Sequence, residues 1–148
     1  MSETLQVLHV EAGGQALGIE VQALLGIERP TRWARLPGAP AYVRGVVELR
    51  DQAVPVIDLA ARLQLPSPPI LPDRGVLLIE SDEPVGLSVE RVVGVEELDP
   101  AGIVRLVGGP AAAVRGRHQE GLLLLDAEAL VDGRPLRSLP ALLSEGSA

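Results

Sequence analysis

The chain contains no cysteine and no phenylalanine, lysine or asparagine, and it has a single tryptophan (Trp33), tyrosine (Tyr42) and methionine (Met1). Without cysteine there are neither disulfides nor thiolate metal ligands, and nothing points to an oxidising compartment. Without phenylalanine the core has to be built from Val, Leu, Ile and Ala. The scarcity of aromatics also removes the stacking platforms used to hold single-stranded nucleic acid. All 13 Lys/Arg positions are arginine and form no dense run, and the formal net charge of −7 repels phosphate backbones, so nucleic-acid binding is excluded as an expectation. Missing Lys, Asn and Phe, all encoded by AT-rich codons, point to a GC-rich genome and say nothing of function. No apolar run approaches the roughly 20 residues needed to span a bilayer. The start, MSETLQVLHV, lacks a positive n-region and a cleavable apolar core. A cytoplasmic location is expected.

Catalytic constellations are equally sparse. There is no Gly-x-Ser-x-Gly elbow, no phosphate-cradling Gly-Lys-Ser/Thr loop and no Cys/His pair. His9 and His118 stand far apart without a ligand motif and read as strand-face or loop histidines. Asp58 and Asp126 each follow an apolar strand and precede a helix-like stretch, so they read as helix caps before they read as paired carboxylates. The expectation is a protein without enzymatic activity, cofactor or metal.

What is present reads as strands. At 148 residues and 47% hydrophobic, the chain suits one compact unit. Leu5 to Glu11 and Gln15 to Glu20 flank Gly13-Gly14 as a hairpin, and Val21 to Ile27 fits a short helix or a strand. Pro30, Pro37 and Pro40 make 28–41 a loop-rich connection. Ser67, Pro68, Pro69 and Pro72 mark a junction. Val76 to Glu80 and Val85 to Val95 are strands around Asp82-Glu83-Pro84. Asp99, Pro100 and Gly102 interrupt, and 108–113 is a small-residue loop. Gly121 to Leu125 suits a strand buried on both faces. Pro135 to Leu143 reads as a short docked segment, with 141–148 as a frayed tail.

A duplication underlies this order. LGIEVQALLGIE at Leu17 to Glu28 returns as VGLSVERVVGVE at Val85 to Glu96, with Gly18 and Gly86, and Gly26 and Gly94, in register at an offset of 68 (86 − 18). The same offset relates Leu8 to Val76, Val10 to Leu78, Val54 to Leu122, Ile57 to Leu125 and Asp58 to Asp126. One domain over 1–148 with similar halves, about 1–68 and 69–140, is the expected organisation.

The most informative stretch is Leu36 to Leu65. Val43 to Leu49 and Val54 to Ile57 flank the polar tetrad Arg50, Asp51, Gln52, Ala53 as strand, turn, strand, and Asp58 then caps a short helix carrying Leu59 and Leu63. Pro37, Pro40, Gly45, Val46, Leu49, Arg50, Val54, Pro55, Val56, Ile57, Asp58 and Leu59 together resemble the core signature of the CheW-like family, scaffolds that couple chemoreceptors to the chemotaxis histidine kinase. Two positions depart from the family pattern: Glu48 stands where Asn is usual and Asp51 where the turn glycine is usual, and Asp tolerates positive φ better than most residues.

The resemblance implies a mainly β fold of two similar small SH3-like barrels packed together, with short helices. It implies a non-enzymatic adaptor whose partners are the regulatory domain of a chemotaxis-type histidine kinase and the cytoplasmic tip of a chemoreceptor, recruited to membrane receptor arrays, with no nucleic acid and no membrane insertion. It places Gly45 and Arg50 on a kinase interface, and Val21, Leu24, Ile27, Gly86, Val92 and Val95 along a groove for the receptor tip, with core packing as the competing role. The family often pairs the turn arginine with a glutamate on the preceding strand; Gly26 matches that position here, so the pair is either lost or rebuilt with Glu28. Two other readings stay open. One is a CheW-like adaptor of a pilus-motility or other non-flagellar chemosensory system, and the other is a small β-barrel ligand-binding module or enzyme.

Overall fold

The computed structural model describes residues 4–66, 75–105, 113–118, 121–133, 135–136 and 139–140. Strands β1 (Leu5–Ala12), β2 (Gln15–Glu20), β3 (Leu24–Glu28), β4 (Trp33–Ala34), β5 (Val43–Leu49) and β6 (Gln52–Asp58) lead into helix α1 (Leu59–Arg62). Strands β7 (Val76–Ile79), β8 (Val85–Ser88), β9 (Arg91–Leu98), β10 (Ile103–Arg105), β11 (Val114–His118) and β12 (Leu123–Leu125) lead into α2 (Ala127–Val131). The fold is mainly β. The ambiguous stretch after β2 is both things in turn, a 3-10 turn at Val21–Ala23 and then β3. The proline-rich connection holds one element the sequence does not announce, the two-residue β4, which pairs with Val46 and Val47 of β5. The run from Val85 to Val95 is two strands, because the chain leaves one sheet and joins the other at Val89 and Glu90.

The strands form two six-stranded sheets, ordered β10-β11-β12-β2-β1-β9 and β3-β7-β8-β6-β5-β4. Replacing each strand of the second by its counterpart in the other half reproduces the first, so the halves share one plan and are interleaved: each sheet takes strands from both. The parallel pairing of Val56 with Gly86 and Ile57 with Leu87 recurs as Leu124 with Gly18 and Leu125 with Ile19. The constant offset needs one correction. Leu8 pairs with Ile19 while Leu77 pairs with Leu87, so Leu8 corresponds to Leu77 and Val10 to Ile79, not to Val76 and Leu78. The second hairpin is one residue shorter between the equivalent pairs Val10–Leu17 and Ile79–Val85, which shifts β7 by one. The proline junction at 67–72 and most of the 108–113 loop lie outside the described residues, as does the 141–148 tail.

Each sheet curls around its own small core. Val7, Leu98, Leu122 and Leu124 fill the first, and Val47, Val54, Val56 and Val76 fill the second. A third, larger cluster joins residues of both sheets and both helices, among them Leu8, Leu17, Ile19, Leu59, Leu77, Leu87, Leu125 and Leu130. Each buried Val or Leu is worth about 1.5–3 kcal/mol, so these cores are held mainly by aliphatic side chains, with Tyr42 and Trp33 packed at their margins. As expected, β12 is central and wholly buried.

Both aspartates cap. Asp58 accepts from the Ala60 amide (3.1 Å) and Asp126 from that of Ala129 (3.3 Å). Asp58 also takes an ion pair from Arg44. Arg62, only 6% exposed, crosses from α1 to α2: Nε donates to the carbonyl of Leu130 (2.9 Å) and Nη2 to that of Ala129 (3.2 Å), while the guanidinium lies 4.5 Å from the centre of the Tyr42 ring. Arg62 and Leu130 are 68 positions apart, the repeat offset itself, so this bond joins two equivalent places at the junction of the barrels. The Leu139 amide donates to the Leu63 carbonyl (2.9 Å), docking that part of the tail.

Candidate interaction surfaces

The β5–β6 hairpin is built tightly. Leu49 pairs with Gln52, leaving a two-residue turn of Arg50 (φ 50°) and Asp51 (φ 64°). Two successive left-handed residues are the geometry that matches the twist of the flanking strands, and glycine or asparagine normally supplies it. Here a charged pair holds it, at a local cost in strain. The Arg50 side chain is 85% exposed and its Nη2 reaches Glu28 Oε1 at 3.4 Å, at the end of β3. The turn arginine therefore has a carboxylate partner, two residues beyond Gly26. An exposed pair at this distance contributes at most about 1 kcal/mol to stability.

Gly45, five residues earlier, has a different kind of importance. It is buried at the bulge of β5, with φ 155°, and a Cβ there would lie 2.4 Å from the carbonyl oxygen of Ala34. It lets β4 close against β5, and so shapes the surface beside the turn without itself presenting one.

The apolar positions fall on two outer strands. β3 closes one sheet and β9 the other, and each is bulged before its glycine: Leu24 then Gly26 against β7, Val92 then Gly94 against β1. Leu24 and Val92 are half-buried against the shared core, while Ile27 (47%) and Val95 (60%) stand exposed. A Cβ on Gly75 would be 3.8 Å from Ile27 Cγ2 and 3.7 Å from Val92 Cγ2, so side chains of the two strands converge over Gly75. Val21 is half-buried in the 3-10 turn leading into β3. Gly86 does not join them: it is buried in the central strand β8, where a Cβ would come within 2.5 Å of Val76 Cγ1.

Three features of these surfaces were not singled out from sequence. Leu25 (52% exposed) and Val93 (42%) extend the apolar strips, and their signal was the repeated LLGIE and VVGVE. His9 holds β9 from the neighbouring strand, its Nδ1 2.8 Å from Glu96 Oε2. Glu96 occupies in the second half the place of Glu28 in the first, so each outer strand has one carboxylate tied to an adjoining cation or imidazole. Trp33, in β4, is the third. His118 is buried in β11. No helix among the described residues is long and apolar enough to cross a membrane.

Comparison with known proteins agrees with this geometry. The CheW-like domain family matches residues 6–134. "Chemotaxis protein CheW" of Bacillus subtilis (strain 168) is 30% identical over 127 residues, spanning 80% of this chain and 81% of that protein. "Protein PilI" of Pseudomonas aeruginosa is 35% identical over 66 residues, 44% of this chain and 37% of that protein. The crystal structure of the scaffolding protein TtCheW from Thermoanaerobacter tengcongensis superimposes with a TM-score of 0.77 at 19% identity, over 90% of this chain and 98% of that one. That likeness establishes the fold as two SH3-like barrels. Family match, relatives and fold agree, and the chain belongs to the CheW-like family of chemotaxis scaffold proteins.

Proposed function

We propose that this protein is a non-enzymatic adaptor that couples chemoreceptors to a chemotaxis-type histidine kinase. An adaptor without chemistry acts by holding partners in a productive geometry, so signal passes as binding free energy between separate surfaces. The observation that carries the reading is the convergence of Ile27 of β3 and Val92 of β9, side chains from two different sheets, over Gly75, with Val95 exposed further along β9. Apolar residues exposed together on edge strands are a liability unless a partner covers them. Their groove lies at the junction of the barrels and suits a helical receptor tip, with Val21, Leu24 and Val92 as its half-buried walls. The Arg50 turn is a second, charged surface, and it faces the kinase regulatory domain. Gly45 supports that face through the backbone. The protein works in the cytoplasm, recruited to receptor arrays.

The test is titration of receptor-tip fragments and kinase regulatory domain against wild type and Val95→Asp. The substitution sits at an exposed position, so stability should change by no more than about 0.5 kcal/mol. Receptor-tip binding should fall at least about tenfold while kinase binding persists, as placing a charge in an apolar contact predicts. Undiminished receptor binding by Val95→Asp would remove the groove from the mechanism. A second reading, an adaptor of a pilus-motility or other non-flagellar system, draws support from the stretch similar to PilI. Recovery of the native kinase in a pull-down separates the two.

A further inference from the structure

Trp33 is the sole tryptophan of the chain, placed on the outermost, two-residue strand of its sheet opposite Val47. Its ring packs partly against the Val47–Val54–Val56–Val76 core. The indole Nε1–H is buried and has no hydrogen-bond acceptor among the described residues. Buried tryptophan normally satisfies this donor, and leaving such a group unpaired costs about 1–3 kcal/mol. Trp33 also lines a surface cavity of about 380 Å³, whose other lining includes Val46 and Ala53 and whose charged residues are Glu48, Asp51 and Arg32. Asp51 belongs to the same two-residue turn as Arg50, so cavity and turn form one continuous surface.

We infer that this cavity anchors one apolar side chain of the kinase regulatory domain, presented beside a carbonyl that accepts the Trp33 N–H and a cation that meets Glu48 and Asp51. The inference rests on the kinase-facing reading of the Arg50 turn. The volume accommodates a large aliphatic or aromatic side chain, Ala34, Val46, Val47 and Ala53 supply apolar wall, and Glu48 and Asp51 together outweigh the charge of Arg32. An aromatic in a pocket with a polar handle is the kind of residue on which interface energy concentrates. Because Nε1 is closed off from water, capture of the acceptor comes with a movement of the indole, and the ring reports its own occupancy.

The single tryptophan makes the test site-specific. The full chain, labelled with fluorotryptophan, is titrated with unlabelled kinase regulatory domain and separately with a receptor-tip fragment, and followed by fluorine NMR. The resonance should move with the kinase domain and not with the receptor fragment. Trp33→Phe, which keeps most of the ring and loses the donor, should weaken kinase association about tenfold and leave receptor binding unchanged. Ala53→Arg, at an exposed wall position, should do the same by filling the cavity, and together with the fluorine signal it decides the matter even if Trp33→Phe folds poorly. Kinase binding with an unmoved fluorine resonance, or undiminished in Ala53→Arg, overturns the inference and leaves the proposed function standing. A wild-type chain that does not bind the kinase domain overturns the inference and the kinase half of that function. A resonance that shifts when the protein alone is concentrated assigns the cavity to a second copy and overturns it too.

Discussion

Replacing Arg62 by methionine asks how much one buried guanidinium contributes to joining the barrels. Methionine retains an unbranched apolar stem and loses the guanidinium, so the change is chiefly polar. Two charge-assisted bonds, at 2.9 and 3.2 Å to the last-turn carbonyls of α2, are lost together with the Tyr42 contact at 4.5 Å. Each hydrogen bond from a charged group is worth about 1.5–3 kcal/mol and the ring contact about 0.5–2. Against this stands the relief of desolvating a cation that is only 6% exposed, a cost of several kcal/mol. The balance is a loss of about 2 kcal/mol, and for a chain of this size a fall in Tm of roughly 4–8 °C. Urea unfolding followed by far-UV circular dichroism measures the first quantity and a thermal scan the second. Arg62→Met stability within about 0.5 kcal/mol of wild type would mean that the α1–α2 tie is dispensable and that the shared apolar cluster alone sets the contact between barrels.

The remaining expectations concern the hairpin. Gly45→Ala should cost about 2–4 kcal/mol in urea unfolding, since its Cβ would meet the Ala34 oxygen at 2.4 Å and the residue holds φ 155°; a neutral result would show that β4 can move aside freely. Arg50→Ala should change stability by no more than about 0.5 kcal/mol, because the side chain is 85% exposed and its pair with Glu28 is long, yet weaken kinase or array association by about 1 kcal/mol or more. Titration that finds both affinities intact would return Arg50 to an ordinary solvated turn residue.

Local features were legible in the sequence because their causes are local. The Asp58 and Asp126 caps, the Gly13-Gly14 hairpin and the β5–β6 hairpin each follow from the chemistry of a few adjacent residues. The duplication was legible too, though a one-residue difference between hairpins hid the true match of β1 to β7. β4 carried no periodicity because two residues cannot show any. The family resemblance implies a receptor-surface role for Gly86, but β8 lies between β7 and β6, and strand order is a property of the whole sheet. Leu25 and Val93 were visible as a repeated apolar pair before glycine, and only the bulges reveal that they emerge on the surface. The Trp33 cavity depends on β4, the turn and β5 meeting, which no local pattern encodes.

The interleaving of the two sheets has a consequence for how the molecule comes to exist. β2 finds its parallel partner only in β12, where Leu17 meets Leu123, 106 residues later (123 − 17). β3 in turn waits for β7. A ribosome that has released the first half has therefore produced strands with open edges and neither barrel complete, and long-range pairing of this kind folds slowly. The sheet of β3 to β8 has all its strands once β8 is made, whereas the other stays open until β12 arrives. Duplication in the gene gives no pair of independent modules here: a chain cut between the halves yields two fragments, each needing the other as its missing edge.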